Sequence, residues 1–253
     1  FFENNDGRIV LIYPLKGRVM VGTTDLEADM SVPAVCTEDE IDYFIELVSH
    51  VFPTIPVTRE QIVYSFSGVR PLPHHDDTAP GFVSRDYRIV PGTVPGLGST
   101  TVLSLVGGKW TTFRALSEHL ANEALAALGM TRTVQTLGLP IGGGAGFPTT
   151  QQAERDWTAR YGADVGAERA EVLLGRYGTK ATFVIDAIAG WDGDDAPLAA
   201  APSYSRAEID HLVRTEHVAH LSDVFLRRTS LAFTGSISVA LIQIGRASCR
   251  ERV

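Results

Sequence analysis

The stretch GGKWTTFR at residues 107–114 concentrates groups suited to holding an anion. Two glycines let the backbone approach a ligand closely. A helix opening at Thr111 or Thr112 would aim unpaired N–H groups and the positive end of its dipole at the same point. Lys109 adds a full positive charge. A flavin ring suits such a turn, because its pyrimidine edge becomes anionic on two-electron reduction. The same residues equally make a tight strand-to-helix turn with a solvated lysine. SGVRPL at 67–72 places Arg70 between a strand end and a proline-stiffened turn, and SRDY at 84–87 adds Arg85. Two guanidinium forks near one sheet end form a bidentate clamp for phosphate or carboxylate. Taken singly, each suits a surface salt bridge.

Other polar clusters carry less. His74, His75, Asp76 and Asp77 are metal ligands by type, yet adjacent residues cannot easily converge on one ion, and partners at i+3 or i+4 are missing. No metal site is expected. His217 and His220 stand one helical turn apart, with His211 further back on the same expected helix, on a face read as exposed. GGGAG at 142–146 has Phe147 where the last glycine of G-x-G-x-x-G belongs and Pro148 where a helix should open. It is read as a connector.

These residues need elements to position them. RIVLIY at 8–13 and RVMVG at 18–22 predict a hairpin about a turn at 14–17. Thr37 with Glu40 predicts a capped helix ending before Pro53, with Ile41, Phe44, Ile45, Val48 and Val51 on one stripe. Residues 61–66 and 82–90 read as strands, and TTVLSLV at 100–106 as a buried strand. The helix after GGK should carry Phe113, Leu116, Leu120, Ala124 and Leu128 inward and stop at Gly129. Beyond the Gly/Pro-rich stretch 138–150 the pattern turns wholly helical, over 150–161, 167–177, 180–188, 205–218 and 222–229. Ser205 and Glu208 form an expected capping box.

Composition narrows the function. Hydrophobic residues make up 44% of the 253 and charged residues 21%, an ordinary globular balance. The net charge of −8 lacks the bulk basic footprint of a nucleic-acid binder. Cys36 and Cys249 lie far apart and outside any CxxC, which excludes a disulfide framework or a cysteine zinc site and favours a reducing compartment. No apolar run approaches the roughly 18 residues of a membrane span. The start, FFENNDGRIVLIYP, is no secretory signal, lacks Met, and reads as a strand entered midway, so the chain is expected to be a piece of something longer.

Taken together, GRIVLIYPLKGRVMVGTTD, SGVRPL, SRDY and GGKWTTFR, in this order and spacing, resemble the C-terminal half of the FAD-dependent, quinone-linked glycerol-3-phosphate dehydrogenases, with the glycerophosphate oxidases close by. YGTK at 177–180, the stretch 205–218 and LSDVFLRRT at 221–229 resemble the small helical domain that ends this family. The resemblance runs from about residue 6 to about 234. Two positions depart from the family pattern: Trp110 stands where Leu is usual, and Phe113 where Tyr is usual.

The resemblance implies a mixed α+β and α/β fold, a fragment of a glutathione-reductase-like flavoprotein. Residues 1–98 would be the later part of a mixed-sheet substrate domain. Residues 99–137 would be the returning strand, turn and helix of the FAD domain, 138–149 a linker, and 150–243 a helical domain. The G-x-G-x-x-G that grips the ADP part of FAD has no match here, so the fragment alone is expected to be inactive. The implied reaction is oxidation of sn-glycerol 3-phosphate to dihydroxyacetone phosphate, with hydride transfer to FAD and electrons passed to quinone. Arg70 and Arg85 would hold the substrate's phosphate, with Arg70 and Lys109 taken as catalytic. Gly107, Gly108, Lys109, Thr111 and Thr112 would meet the flavin. A cytoplasmic enzyme, peripheral on the inner face of the cell membrane, is the implied setting. The alternatives are an oxidase using O2, another FAD-dependent oxidase of the same fold, and a catalytically dead binding module. The last ten residues, IGRASCRERV, fit no expected element, and their reverse translation reproduces a common sequencing-library adapter, so 244–253 reads as a non-native tail.

Overall fold

A computed structural model describes residues 2–4, 7–69, 86–96, 98, 100–193 and 195–250. The chain falls into two compact units. One comprises Phe1–Tyr13, Met20–Val57 and Ser65–Leu139; the other comprises Pro14–Val19, Thr58–Tyr64 and Pro140–Val253.

Strands β1 (Phe2–Glu3), β2 (Ile9–Leu15) and β3 (Arg18–Gly22) form a sheet in that order, with Phe2 antiparallel to Val10. The hairpin closes at Lys16 and Gly17, both at positive φ, the two-residue geometry whose twist matches its strands. The turn is therefore tighter than expected, and Pro14 lies inside β2. Helix α1 (Glu38–Val51) starts at Thr37 with a complete capping box to Glu40. Hydrogen bonds from Thr24 Oγ1 and then from the Thr37 backbone hold the Glu40 carboxyl below its ordinary range. Leu47 and Val48 are the buried face of α1.

Strands β4 (Arg88–Thr93) and β5 (Thr101–Val106) pair antiparallel from Arg88 opposite Val106 to Thr93 opposite Thr101. Two expectations change here. Residues 82–85 lie outside the described residues; the first strand begins at Arg88 and runs on past 90, through Pro91. The second is half-exposed rather than buried, because β4 alone pairs with it among the described residues. Helix α2 (Phe113–Ala127) follows a short 3-10 turn, Trp110–Thr112. Gly129 at positive φ stops it, as expected. Its expected inward stripe is nowhere fully buried. Residues 61–66 form no strand. Thr58 and Gln61 cap a 3-10 turn over Arg59–Gln61, and the chain beyond it pairs with no strand.

The second unit carries most of the buried apolar side chains. Helices α3 (Gln151–Val165), α4 (Ala167–Tyr177) and α5 (Ala181–Ala189) pack Leu173, Ala181, Val184 and Ile185 into one core. Helix α6 (Arg206–Thr215) contributes Ile209, Leu212 and Val213 to a second core. Each fully buried Leu, Ile or Val stabilises the fold by about 1.5–3 kcal/mol.

It is not wholly helical. Strands β6 (Pro197–Leu198) and β7 (Ala201–Ser205) form a hairpin. Its Ala/Pro-rich sequence has little β propensity; docking of Leu198, Ala201 and Tyr204 on the helical core holds it. Helix α6 stops at Thr215 rather than Val218, because His217 takes a positive φ. Consequently His217 and His220 sit in a turn, not one helical turn apart on α6. Helix α7 (Leu221–Asp223) continues as a π-helical stretch, Val224–Arg228. Helix α8 (Val239–Arg250) packs Leu241 and Ile244 on the second core and runs on into 244–250, part of the segment expected to fit no element. The GGGAG connector also does more than span: Thr179 of YGTK donates its N–H (2.9 Å) and Oγ1 (3.0 Å) to the Gly143 carbonyl.

Candidate functional site

The strand β5 delivers the chain to Gly107 and Gly108, at φ +79° and +109°. A Cβ on Gly107 would stand 2.7 Å from the Asp86 carbonyl oxygen, and one on Gly108 3.2 Å from Leu116 Cδ2. Only glycine meets both demands, the left-handed backbone and the close approach. The glycines therefore serve to pack the turn against Asp86 and Tyr87, and the groups open to a ligand belong to residues 109–112. Lys109, Trp110, Thr111 and Thr112 are all exposed at the head of the 3-10 turn that runs into α2. Thr112 Oγ1 donates to the Lys109 carbonyl (2.9 Å), so it braces the turn and is no side-chain cap. Trp110 is 89% exposed, its ring stacked on Phe113 at 6.1 Å. An exposed lysine stands at the N-terminal end of this turn, where the amide dipoles favour negative charge.

The packing of the glycine pair brings two sequence motifs together, GGKWTTFR and the end of SRDY. Tyr87 OH lies 3.3 Å from His119 Nδ1 on α2, and His119 Nε2 lies 3.5 Å from Glu123. This strand-to-helix brace joins positions that no spacing rule connects. On the next face of α2, Glu118 accepts from Arg114 (2.6 Å) and Arg132 (3.0 Å). The Arg114 bond first, then Arg132, lowers its pKa. Arg70 and Arg85 lie outside the described residues, as do His74, His75, Asp76 and Asp77. Among the described residues no group of His, Cys, Asp or Glu could hold a metal ion.

In the second unit, a buried ionic knot escaped the sequence reading. Glu208 is fully buried; its Oε2 accepts from Arg169 (2.6 Å), and its Oε1 from Arg176 and from Tyr177 OH (2.7 Å). Ser205 caps α6 by accepting from the Glu208 N–H, at 3.4 Å. The Glu208 carboxylate turns to the two arginines instead of closing the expected capping box. Burial, and then the Glu208 charge, push the Tyr177 hydroxyl well above the ordinary phenol range. The Arg176 guanidinium lies 3.7 Å from the Tyr204 ring centroid, and Tyr204 OH accepts from the Ser230 N–H (3.1 Å). The only signal in sequence was Arg169, Arg176 and Tyr177 around the apolar face of α4; their common partner lies more than thirty residues away.

The first unit holds a strand, a tight glycine turn and an exposed helix head, and helices make up most of the second. Residues 1–121 match the family model for FAD dependent oxidoreductase, and residues 134–243 match that for the C-terminal domain of alpha-glycerophosphate oxidase. The chain is thus similar to an FAD dependent oxidoreductase domain over its first part and to the C-terminal domain of alpha-glycerophosphate oxidase over its second. Among curated relatives, it is 28% identical to a glycerol-3-phosphate dehydrogenase of Synechocystis sp., over 90% of this chain and 40% of the relative. It is 29% identical to the aerobic glycerol-3-phosphate dehydrogenase of Bacillus subtilis, over 92% of this chain and 42% of the relative. A mitochondrial glycerol-3-phosphate dehydrogenase of Arabidopsis thaliana is 31% identical over 94% of this chain and 39% of its own length. The chain thus spans about two fifths of the length of these relatives. Among the described residues no helix is long and apolar enough to cross a membrane.

Proposed function

We propose that this chain forms the substrate-side sheet, the flavin-facing turn and the helical domain of an enzyme that oxidises sn-glycerol 3-phosphate to dihydroxyacetone phosphate, with a glutathione-reductase-like core. The names of the relatives motivate the substrate, and the exposed head of α2, packed against the end of SRDY, is the observation that carries the site. FAD, held with its ring at the head of α2, would supply the two-electron acceptor for the hydride of the secondary carbon. Lys109 then offsets negative charge at the ring edge, from the head of a helix whose dipole acts in the same direction. Arg70 and Arg85 hold the phosphate and so orient the carbon to be oxidised. The hydroxyl proton leaves to a base, completing a two-electron oxidation. Electrons pass on to quinone in the preferred reading; the C-terminal match to an oxidase domain makes O2 the second reading.

The test uses the holoenzyme at the full length of its relatives. Glycerol 3-phosphate added without oxygen should bleach the oxidised-flavin band. No bleaching would end the substrate assignment. Reoxidation by a soluble quinone faster than by O2 supports the dehydrogenase; rapid H2O2 release supports the oxidase.

A further inference from the structure

Lys109 links two parts of the first unit, the end of the β4–β5 hairpin and the head of α2. On its N-terminal side, the glycine pair passes between Tyr87 and α2. A Cβ on Gly108 would stand 3.2 Å from Leu116 Cδ2 and 3.6 Å from Tyr87 Cβ. On its C-terminal side, the Lys109 carbonyl accepts from the Thr112 N–H (3.0 Å) and from Thr112 Oγ1 (2.9 Å), at the residue before α2. The side chains of Tyr87 and His119 join these two sides directly. Their rings meet edge-on with centroids 5.8 Å apart, and the Tyr87 hydroxyl lies 3.3 Å from His119 Nδ1. Glu123, one turn further along α2 and 3.5 Å from Nε2, favours the ring proton on that nitrogen. Nδ1 is then the acceptor and the Tyr87 hydroxyl its donor. A closed circuit results: Tyr87, the glycine turn, Lys109, the head of α2, His119, and Tyr87 again. No side chain of α2 is fully buried. The helix therefore has little core to fix its direction, and the Tyr87–His119 contact takes a larger share of that task.

We infer that Tyr87 and His119 are positioning residues for Lys109: their contact fixes the head of α2, and Lys109 with it, against the start of β4. This inference deepens the proposed function and rests on its placing of the flavin ring edge at Lys109. The attraction between the lysine and a reduced, anionic ring weakens as their separation grows. Loosening the contact should therefore make the flavin harder to reduce, without removing any group that touches it.

The experiment reads the reduction equilibrium of the bound flavin against a reference dye, in the holoenzyme at the full length of its relatives. Lys109→Met should lower the equilibrium constant by a factor on the order of ten. Tyr87→Phe and His119→Leu should each lower it about threefold, the worth of one hydrogen bond. His119→Gln, whose amide oxygen still accepts from Tyr87, should restore most of that loss. In the Lys109→Met background neither change should lower the constant further, because the group they place is gone. Effects that simply add in the double variants would overturn the inference, as would an unchanged constant in both Tyr87→Phe and His119→Leu. A second measurement needs no FAD and covers variants that fail to load it. In the 253-residue chain, His119→Leu should quicken amide exchange at Thr112 and Phe113, whose N–H groups donate to the Lys109 and Trp110 carbonyls. Unchanged protection there rejects the positioning role. Should Lys109→Met leave the reduction equilibrium unchanged, the reading of the turn as flavin-facing falls; exchange in the chain then decides whether Tyr87 and His119 fix the head of α2.

Discussion

At the scale of single residues, charge decides most. Losing an arginine from a desolvated anion site costs about 2–5 kcal/mol, much of it from the charge left unpaired, and each factor of ten in rate corresponds to about 1.4 kcal/mol. In the holoenzyme, Arg70→Ala should therefore lower kcat/KM for glycerol 3-phosphate by a factor on the order of a hundred, with FAD content unchanged. The loss should shrink sharply when unphosphorylated glycerol is the substrate. An equal loss on both would move Arg70 from the phosphate to the reacting carbon or the flavin. Glu208 is the other residue to change. It is fully buried, and it pairs with Arg169 and Arg176, whose side chains are 17% and 16% exposed. Glu208→Ala leaves two guanidinium groups without their carboxylate in the interior, at a cost of about 3–5 kcal/mol. Thermal melting of the chain should show the helical unit unfolding first. A melting curve like that of the wild type would mean water already screens the knot.

At the scale of elements, caps and turns set where helices begin. Thr37→Ala removes the hydroxyl that accepts the Glu40 N–H, and about 1 kcal/mol of stability should go with it, measurable by urea unfolding. Asp223 caps the start of α7, accepting the His220 N–H (2.8 Å) and the Ala219 N–H (3.0 Å). Those two bonds, the His220 bond first, lower its pKa. A depressed carboxylate pKa stabilises the fold above the unfolded value, near 3.8, and that contribution is lost as pH falls through the folded value. Amide exchange at His220, read from pH 6 downward, should therefore quicken only below about pH 4, and Asp223→Asn should remove this acid step. Persistence of the step in the Asn variant would assign it to another carboxylate.

At the scale of the molecule, the two units differ in how much apolar surface they keep from water. In the first, Val10, Leu47 and Val48 are buried, while Met30, Leu105, Trp110 and Phe113 are exposed. Exposed apolar area of this kind binds dyes and drives association. The 253-residue chain on its own should therefore bind an environment-sensitive hydrophobic dye strongly and sediment as more than a monomer. Weak dye binding and a clean monomer would show that the first unit covers its apolar face. Limited proteolysis should cut first over 130–140, where Met130, Val134, Leu137 and Leu139 are exposed, rather than over 143–146, which Thr179 holds by hydrogen bonds. A first cut inside 143–146 would contradict that hold.

Local chemistry was legible before any coordinates. The Thr37 cap with Glu40, the stop of α2 at Gly129, the hairpin of β2 and β3, and helices α4 and α5 all arise from interactions within a few residues, which sequence spacing records directly. What failed was whatever depended on a distant partner. Residues 61–66 alternate like a strand, yet a strand exists only where another chain segment pairs with it. The Ala/Pro stretch at 197–205 became a hairpin because the helical core gave Leu198 and Tyr204 a place to be buried. Glu208 read as a cap partner of Ser205, three residues away, whereas the tertiary structure gave its carboxylate to Arg169 and Arg176. The glycines of GGK point the same way. The sequence by itself determined that a glycine turn opens a helix beside Lys109; only the tertiary structure decided that the space above Gly107 belongs to the Asp86 carbonyl. The reason is physical: dihedral preference and capping are properties of the local chain, whereas the occupant of a buried site depends on which distant surfaces exclude water from one another.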